Sequence, residues 1–182
     1  MGGGRLREII ERARGGDADA FTSAVATSVD QLYAAAYLVL RDRHAAEDAV
    51  QDGLLRAWRK MPSLRDPDRF DAWIRRIVVR AAIDASRRHR PTVELVFEPA
   101  DPVGAGDAVV IRDLLDRAFA RLGPIHRAIL VLRYYLDLSV PEIARTLDVP
   151  EGTAKSRLHH ATNAMRSAIA EIDNPGEDAA RP

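Results

Sequence analysis

The segment that most constrains the fold is 138–158, where two short helical patterns are separated by a break of three residues. Ser139 stands just before the first pattern and Glu142 follows three residues later, a spacing that predicts a capping box at a helix start. Pro150 ends the break, because proline disfavours helical geometry in the residue before it and is favoured at the start of the next helix. Each helix has one apolar face, formed by Val140, Ile143, Ala144 and Leu147 in the first and by Ala154, Leu158, Ala161 and Met165 in the second. The segment therefore predicts a helix-turn-helix.

The other faces of the second helix carry side chains that can bond phosphates and base edges. These are Thr153, Lys155, Ser156, Arg157, His159, His160 and Asn163. Such a helix, preceded by a short partner, is typical of a unit that reads DNA in the major groove. The alternative interpretation is a solvent-exposed helix face on which two basic residues happen to lie. The paired helices and the short turn favour DNA contact.

Helical periodicity extends over most of the remaining chain, whereas the alternation typical of strands is brief and confined to 92–97. Helices are predicted over 6–13, from Asp17 to about Leu40, over 44–61 and over 70–89, and two more precede the helix-turn-helix. The fold class is therefore all-α, with two small helical domains joined by a flexible acidic linker, the C-terminal one a helix-turn-helix domain. The predicted boundaries are 1–91 for the first domain, 92–107 for the linker, 108–172 for the second domain and 173–182 for a disordered tail.

Charge is unevenly distributed, although the 27 basic and 27 acidic residues give a net charge of zero. Seven arginines and two aspartates lie within 69–90, whereas 92–111 holds four acidic residues and no basic residue. Cysteine is absent, which excludes disulfides, thiolate catalysis and cysteine-ligated zinc. No apolar run approaches the ~20 residues that span a bilayer, and no signal-peptide core follows Met1. We therefore expect a cytoplasmic protein without membrane insertion.

Catalytic motifs are missing from the sequence. There is no phosphate-cradling loop and no dinucleotide fingerprint, and the histidines do not have the spacing of a zinc protease. We accordingly predict no catalytic residue, no cofactor and no metal site, and the protein is not expected to be an enzyme. A helical hydrolase would need a metal or a nucleophile that the sequence does not offer.

An acidic face is predicted on the helix over 44–61, where Glu47, Asp48, Gln51 and Asp52 gather beside a buried stripe. Metal binding is disfavoured, because only His44 adds a further ligand type and hard-metal loops have a different spacing. A solvated face remains an alternative. The interpretation we prefer is a docking surface for a basic partner.

A basic strip is predicted on the following helix, where Trp73 supplies an aromatic neighbour. Its members are Arg75, Arg76, Arg80, Arg87 and Arg88. Arginines along one face suit a nucleic-acid backbone, and aromatic rings can stack on unpaired bases. A merely soluble, arginine-rich helix is the alternative.

Together these motifs resemble those of bacterial RNA polymerase sigma factors of the extracytoplasmic-function (ECF) group, part of the sigma-70 family. The matching motifs cover 46–52 with Trp58, 73–77, 84–88, 122–124, 132–134, 142–144 and 152–158. The resemblance extends over about 17–170. It implies a first domain of the sigma region 2 type and a second domain of the region 4 type. Its implied partners are core RNA polymerase, promoter DNA and an anti-sigma factor.

The resemblance also assigns roles to the surfaces. Polymerase docking is implied for Asp48, Gln51, Asp52, Leu55 and Trp58. Capture and melting of the minus-ten promoter element is implied for the loop 63–68 and for Arg75, Arg76, Arg80, Arg87 and Arg88. Reading of the minus-thirty-five element is implied for Thr153, Lys155, Ser156, Arg157 and His160. The acidic linker is implied to lie near the polymerase active-site channel or RNA exit path.

The chain departs from the family pattern at three places: Arg80 replaces a common asparagine, Ala154 a usual valine, and His159-His160 more typical arginine-rich residues.

A stand-alone helix-turn-helix transcriptional regulator is the alternative function, but such a regulator has no need of an acidic face beside a basic strip. The placement of the two domains in the free chain stays open. They could pack on each other, or an anti-sigma factor could cover their surfaces.

Overall fold

The computed structural model describes residues 3–88 and 107–173, and these ranges contain helices and turns without strands. The α-helices are α1 (Gly3–Arg14), α2 (Ala18–Ala26), α3 (Val29–Leu40), α4 (Arg43–Lys60), α5 (Phe70–Arg88), α6 (Asp107–Arg121), α7 (Pro124–Leu130), α8 (Val140–Leu147) and α9 (Glu151–Asp173). Helices α1–α5 form the first domain and α6–α9 the second. The all-α prediction is confirmed, while the predicted linker and tail lie outside the described residues except at Asp107 and Asp173.

The helix predicted from Asp17 to about Leu40 is divided into α2 and α3. Asp17 does cap α2, accepting a bond from the Ala20 N–H at 2.9 Å. At the break, the Ser28 hydroxyl and the Ser28 N–H both donate to the Val25 carbonyl oxygen, at 3.2 and 2.8 Å. Hydroxyl groups of this kind compete with regular helical bonding, which explains the interruption that periodicity alone did not reveal.

The centre of the first domain is the packing of α4 against α5. Gly53 of α4 lies directly against Val78 of α5, so that the two backbones approach closely. The fully buried side chains of α5 include Phe70, Ile74 and Val78. The connection between the two helices contains two 3₁₀ turns, Met61–Ser63 and Pro67–Arg69, separated by three residues.

The second domain contains the predicted helix-turn-helix. Helix α8 ends at Leu147, and the left-handed conformation of the next residue, Asp148 (φ 55°), turns the chain toward α9. Before it, α7 continues into a π-helical turn, Val131–Tyr135, which closes with a bond from the Leu136 N–H to the Val131 carbonyl oxygen at 2.9 Å. Both predicted boundaries agree with the structure, since α8 begins directly after Ser139 and α9 begins directly after Pro150.

The two domains are in contact. Helix α7 lies against α3 and α5, and α8 lies against α5. None of the helices within 3–88 and 107–173 is both long and apolar enough to cross a membrane.

Candidate nucleic-acid interface

Helix α9 presents most of the predicted DNA-reading residues on one side. Lys155, Ser156 and His160 are exposed, whereas Thr153 and Arg157 are half-buried. The positions 153, 156, 157 and 160 follow helical spacing, so four of the five share a face and Lys155 stands beside it. Ala154 is fully buried and anchors the helix to the domain core. The arrangement places two hydroxyl groups, a guanidinium and an imidazole on one side of α9, where a groove of DNA can approach.

The start of α8 holds this unit in place. The Ser139 N–H and the Ser139 hydroxyl donate to the Glu142 carboxylate at 3.0 and 2.8 Å. Because these bonds favour the charged form, they hold the pKa of Glu142 below its ordinary value of 4.5, and the charges of Arg76 and Arg145 act in the same direction.

Glu142→Gln will make the stability of the protein less dependent on pH in acid. Since the pKa of Glu142 is lowered in the folded state, its stabilising contribution is present above the unfolded value and is lost as the pH falls through the folded value. Glutamine keeps an acceptor but loses the charge, so the variant should be less stable at neutral pH by about 0.5 kcal/mol.

Thermal unfolding at a series of pH values tests this expectation. The melting temperatures of wild type and Glu142→Gln should converge below pH 4.5. Glu8→Gln, at an exposed position of α1, is the control for the chemical change itself. A constant difference between wild type and Glu142→Gln at all pH values would show that the carboxylate bonds contribute nothing through charge.

The predicted acidic face lies on the outer side of α4. Asp48, Gln51 and Leu55 are exposed, and 56% of the surface of Leu55 is accessible. Asp52 and Trp58 are half-buried. The Trp58 ring packs on Phe21 with the ring centroids 5.3 Å apart, so this tryptophan connects α4 with α2. An exposed leucine flanked by acidic and amide groups can dock a partner with both basic and apolar side chains.

Asp52 is also part of an ion-pair network that the sequence interpretation missed. Its carboxylate accepts two bonds from Arg56, at 2.7 and 3.1 Å. The same guanidinium donates to Asp84 of α5 at 2.7 Å, and the far side of Asp84 faces Arg80 at 3.5 Å. The bond to Asp84, followed by the bond to Asp52, raises the pKa of Arg56. Spacing of four residues could have indicated the pair of Asp52 and Arg56, but the link to α5 needs the tertiary structure.

The arginine strip of α5 divides into two parts. Arg87 and Arg88 are exposed at the end of the helix. The other three are half-buried, and each has a different local setting: Arg80 donates to the Thr146 carbonyl oxygen at 3.0 Å, Arg76 donates to the Ala72 carbonyl oxygen at 3.1 Å, and the Nε atom of Arg75 is buried without a hydrogen-bond partner. The helix therefore carries the predicted basic face, but part of that face is turned toward the second domain.

Across 3–88 and 107–173 no group of three or more histidine, aspartate or glutamate side chains is placed to hold a metal ion. Instead, the acidic residues of α4 either pair with Arg56 or lie exposed on the surface of the helix.

Comparison with known proteins gives the family. The model for sigma-70 region 2 matches residues 24–92, and the model for sigma-70 region 4 matches residues 112–165. The ECF RNA polymerase sigma factor SigW of Bacillus subtilis is 30% identical over 183 residues, which cover 92% of this chain and 98% of that protein. The ECF RNA polymerase sigma factor SigL of Mycobacterium tuberculosis is 36% identical over 138 residues, covering 72% of this chain and 78% of that protein.

A solved structure shares the fold. The sigma factor RpoE, in complex with the anti-sigma factor NepR from Bartonella quintana, aligns with a TM-score of 0.62 at 23% identity, covering 82% of this chain and 96% of that chain. A region 2 domain followed by a region 4 helix-turn-helix domain defines the sigma-70 class. Within that class, this chain belongs to the ECF RNA polymerase sigma factors. The predicted family is confirmed, and its members are transcription initiation factors rather than enzymes.

Proposed function

We propose that this protein binds core RNA polymerase through the outer face of α4 and directs transcription initiation at specific promoters. Its first domain recognises and melts the minus-ten element, and α9 binds the minus-thirty-five element. The chain acts in the cytoplasm with the polymerase and performs no catalysis of its own. The observation that carries the proposal is the combination, in one chain, of an open acidic and apolar face, an arginine-lined helix and a helix-turn-helix.

The docking role of α4 is supported by exposure and charge. Asp48, Gln51 and Leu55 follow one another at helical spacing on an open face. A partner with basic side chains around an apolar contact would complement this face. Asp52 and Trp58 lie at its edge, where their internal contacts fix the position of α4. A stand-alone regulator would have no use for such a surface, and the match to region 2 also argues against that alternative.

The minus-ten role is supported by a preformed loop ahead of α5. In 61–70 every third residue is buried, namely Met61, Leu64, Pro67 and Phe70. The intervening side chains point outward, and the Ser63 hydroxyl donates to the Lys60 carbonyl oxygen at 2.6 Å. A rigid loop with outward polar groups beside an arginine helix can hold an unpaired base while the arginines follow the strand backbone.

The proposed domain limits are 1–91 and 108–172, with 92–107 as the connecting linker. When a linker joins two domains that each bind DNA weakly, binding of one domain to a promoter raises the local concentration of the other domain at the same promoter. An anti-sigma factor is a further proposed partner, supported by the fold shared with RpoE, whose structure contains such a factor.

In vitro transcription tests the proposal. Purified chain with core polymerase should initiate from a subset of genomic promoters, and core polymerase alone should not. The double variant Lys155→Ala/Arg157→Ala should still bind core polymerase but lose about 30-fold or more in initiation at promoters that need the upstream element, because two base contacts worth at least about 1 kcal/mol each would be lost. Absence of initiation by the wild-type chain at every promoter would refute the proposed function. Unchanged initiation by the double variant would refute the role of α9.

A further inference from the structure

The loop between α4 and α5 is closed at each end by a short hydrogen-bonded turn. The Leu64 N–H donates to the Met61 carbonyl oxygen, and the Arg69 N–H donates to the Asp66 carbonyl oxygen, both at 3.1 Å. Arg65 lies in the short stretch between these turns, after the buried Leu64. Its backbone is therefore held on both sides, while its side chain is exposed to solvent.

Most of the polar side chains of this loop serve to shape it. The Ser63 hydroxyl donates to a carbonyl oxygen in the last turn of α4 at 2.6 Å. The Asp66 carboxylate accepts a bond from the Asp68 N–H at 3.1 Å, and its second oxygen lies 3.5 Å from the Nε atom of Arg69. These bonds engage Ser63, Asp66 and Arg69 within the loop, so none of the three is open to a ligand without loss of an internal contact.

Helix α1 supports the same loop and engages Asp68. It packs against both 3₁₀ turns, and its Ile10 is fully buried in the same core as Met61 and Leu64. Arg7 of α1 donates to the Asp68 carboxylate at 3.0 Å. The two side chains of this ion pair are 55% and 66% exposed, so the pair adds little to stability. Its consequence is local: the carboxylate of Asp68 already has a cationic partner.

The partner of Asp68 matters for Arg65. Burial repeats every third residue in this loop, so positions 65 and 68 lie on the same side of it. Without Arg7, the Asp68 carboxylate would be free to bind the neighbouring guanidinium. With Arg7 in place, Arg65 forms no hydrogen bond or ion pair within 3–88 and 107–173, unlike the other polar side chains of 63–69. All its donors are therefore available to a ligand.

The chemistry of the guanidinium limits which base it can select. It carries five donors in a planar fork and no acceptor, so it bonds best to two neighbouring acceptor atoms. Guanine offers O6 and N7, and an unpaired cytosine offers N3 and O2 on its Watson–Crick edge. Adenine and thymine have a donor between the acceptors of their open edges. A base with two neighbouring acceptors is thus the ligand that an exposed arginine on a fixed loop fits.

We propose that Arg65 reads one unpaired base of the minus-ten element and selects guanine or cytosine over adenine and thymine. Arg7 is a positioning residue, which keeps Asp68 engaged and so leaves Arg65 open to the base. This inference rests on the proposed function, since it names the base-reading side chain of the loop that the function assigns to the minus-ten element.

Transcription by core polymerase with the full chain tests the role of Arg65. The templates derive from one promoter that the wild type uses, and each position of the minus-ten region carries each of the four bases in turn. Wild type should favour guanine or cytosine by roughly 5-fold or more at one position where Arg65→Ala loses the preference, with the other positions unchanged. The favoured base shows which pair of acceptors is read.

Two further variants separate the fork from the charge. Arg65→Lys keeps the positive charge but has no planar fork, so it should lose the same preference while its total initiation stays above that of Arg65→Ala. Arg59→Ala is the matched control, because it removes an arginine from the exposed end of α4 beside the loop. It should change initiation by the same factor on every template.

The positioning role of Arg7 has its own test with the same templates. Arg7→Ala should lower the base preference at the Arg65-dependent position several-fold, because Asp68 then binds Arg65. Arg7→Ala/Asp68→Asn should restore the preference, since asparagine carries no charge to hold the guanidinium. Restoration would not occur if Arg7 only supported the loop mechanically. Arg5→Ala, at another exposed position of α1, should leave the preference unchanged.

The outcomes separate this inference from the proposed function. Equal losses on all templates for Arg65→Ala would show a phosphate contact and overturn the base-reading role, as would unchanged preferences or the loss of a preference for adenine or thymine. An Arg7→Ala variant that keeps the preference, or whose loss Asp68→Asn does not reverse, would overturn the positioning role. In each of these cases wild type still initiates, so the proposed function stands. Only a wild type that initiates at no promoter refutes the function itself.

Discussion

Gly53→Ala will destabilise the protein, although alanine is ordinarily the better residue inside a helix by about 1 kcal/mol. A Cβ atom added at Gly53 would lie 2.8 Å from the Val78 Cγ2 atom and 2.9 Å from the Val78 Cα atom. Rotation of the valine side chain relieves only the first contact, because the second involves the backbone. Helices α4 and α5 must therefore move apart, and overpacking of this kind costs about 1–3 kcal/mol or more. Set against the gain of about 1 kcal/mol from alanine, this leaves an expected net loss of up to about 2 kcal/mol.

Urea denaturation followed by circular dichroism measures this loss. Gly152→Ala is the matched control, since Gly152 also lies in a helix but has no atom within 4 Å of its added Cβ. That variant should be as stable as wild type or more stable by up to about 1 kcal/mol. Equal stability of Gly53→Ala and Gly152→Ala would show that the α4 and α5 backbones do not approach closely.

The helices could largely be predicted from the sequence because their starts and ends carry local chemical signals. Asp17, Ser139 and Pro150 each determine a boundary through the bonds or dihedral angles of nearby residues, and the structure has helices at these places. The break after Thr27 was missed because its cause is a hydroxyl bond back to the preceding turn, which a solvent-facing serine would not form. Gly53 offered a signal, since a glycine inside a helix is unfavourable unless something packs against it.

Helical spacing also assigns residues to faces, which is why the arginine strip and the exposed surface of α4 were found on the expected sides. Spacing does not tell which other element a face meets. The pair of Arg41 and Asp116 joins residues 75 positions apart, and the bond from Arg80 to Thr146 joins residues 66 positions apart. Nor does the sequence show that an arginine on a short helix is buried, as Arg127 is. The tertiary structure therefore changes the interpretation of the strip: three of its five arginines face protein in the free chain.

Leu55→Asp will abolish most of the affinity for core polymerase. The side chain is more than half exposed on the outer face of α4, so its replacement should not disturb the domain core. In the proposed complex it is the apolar centre of the docking face, and loss of such a residue costs about 2–4 kcal/mol, a factor of about 30 to 1000 in the dissociation constant. Asp48→Lys reverses an exposed charge beside Leu55. This substitution should lower the association rate, and its effect should become smaller as the salt concentration is raised.

Binding of labelled core polymerase to the full chain measures both effects, and unfolding curves show that the variants remain folded. Leu6→Asp places the same substitution at an exposed leucine of α1 and should leave polymerase affinity unchanged. Asp52 is a poorer test position, because its bonds to Arg56 connect α4 with Asp84 of α5, and loss of affinity there could follow from displaced helices. Upstream duplex DNA should bind Leu55→Asp as it binds wild type. Equal losses for polymerase and DNA would contradict the division of labour between α4 and α9, since the two faces belong to different domains and are both open in the free chain.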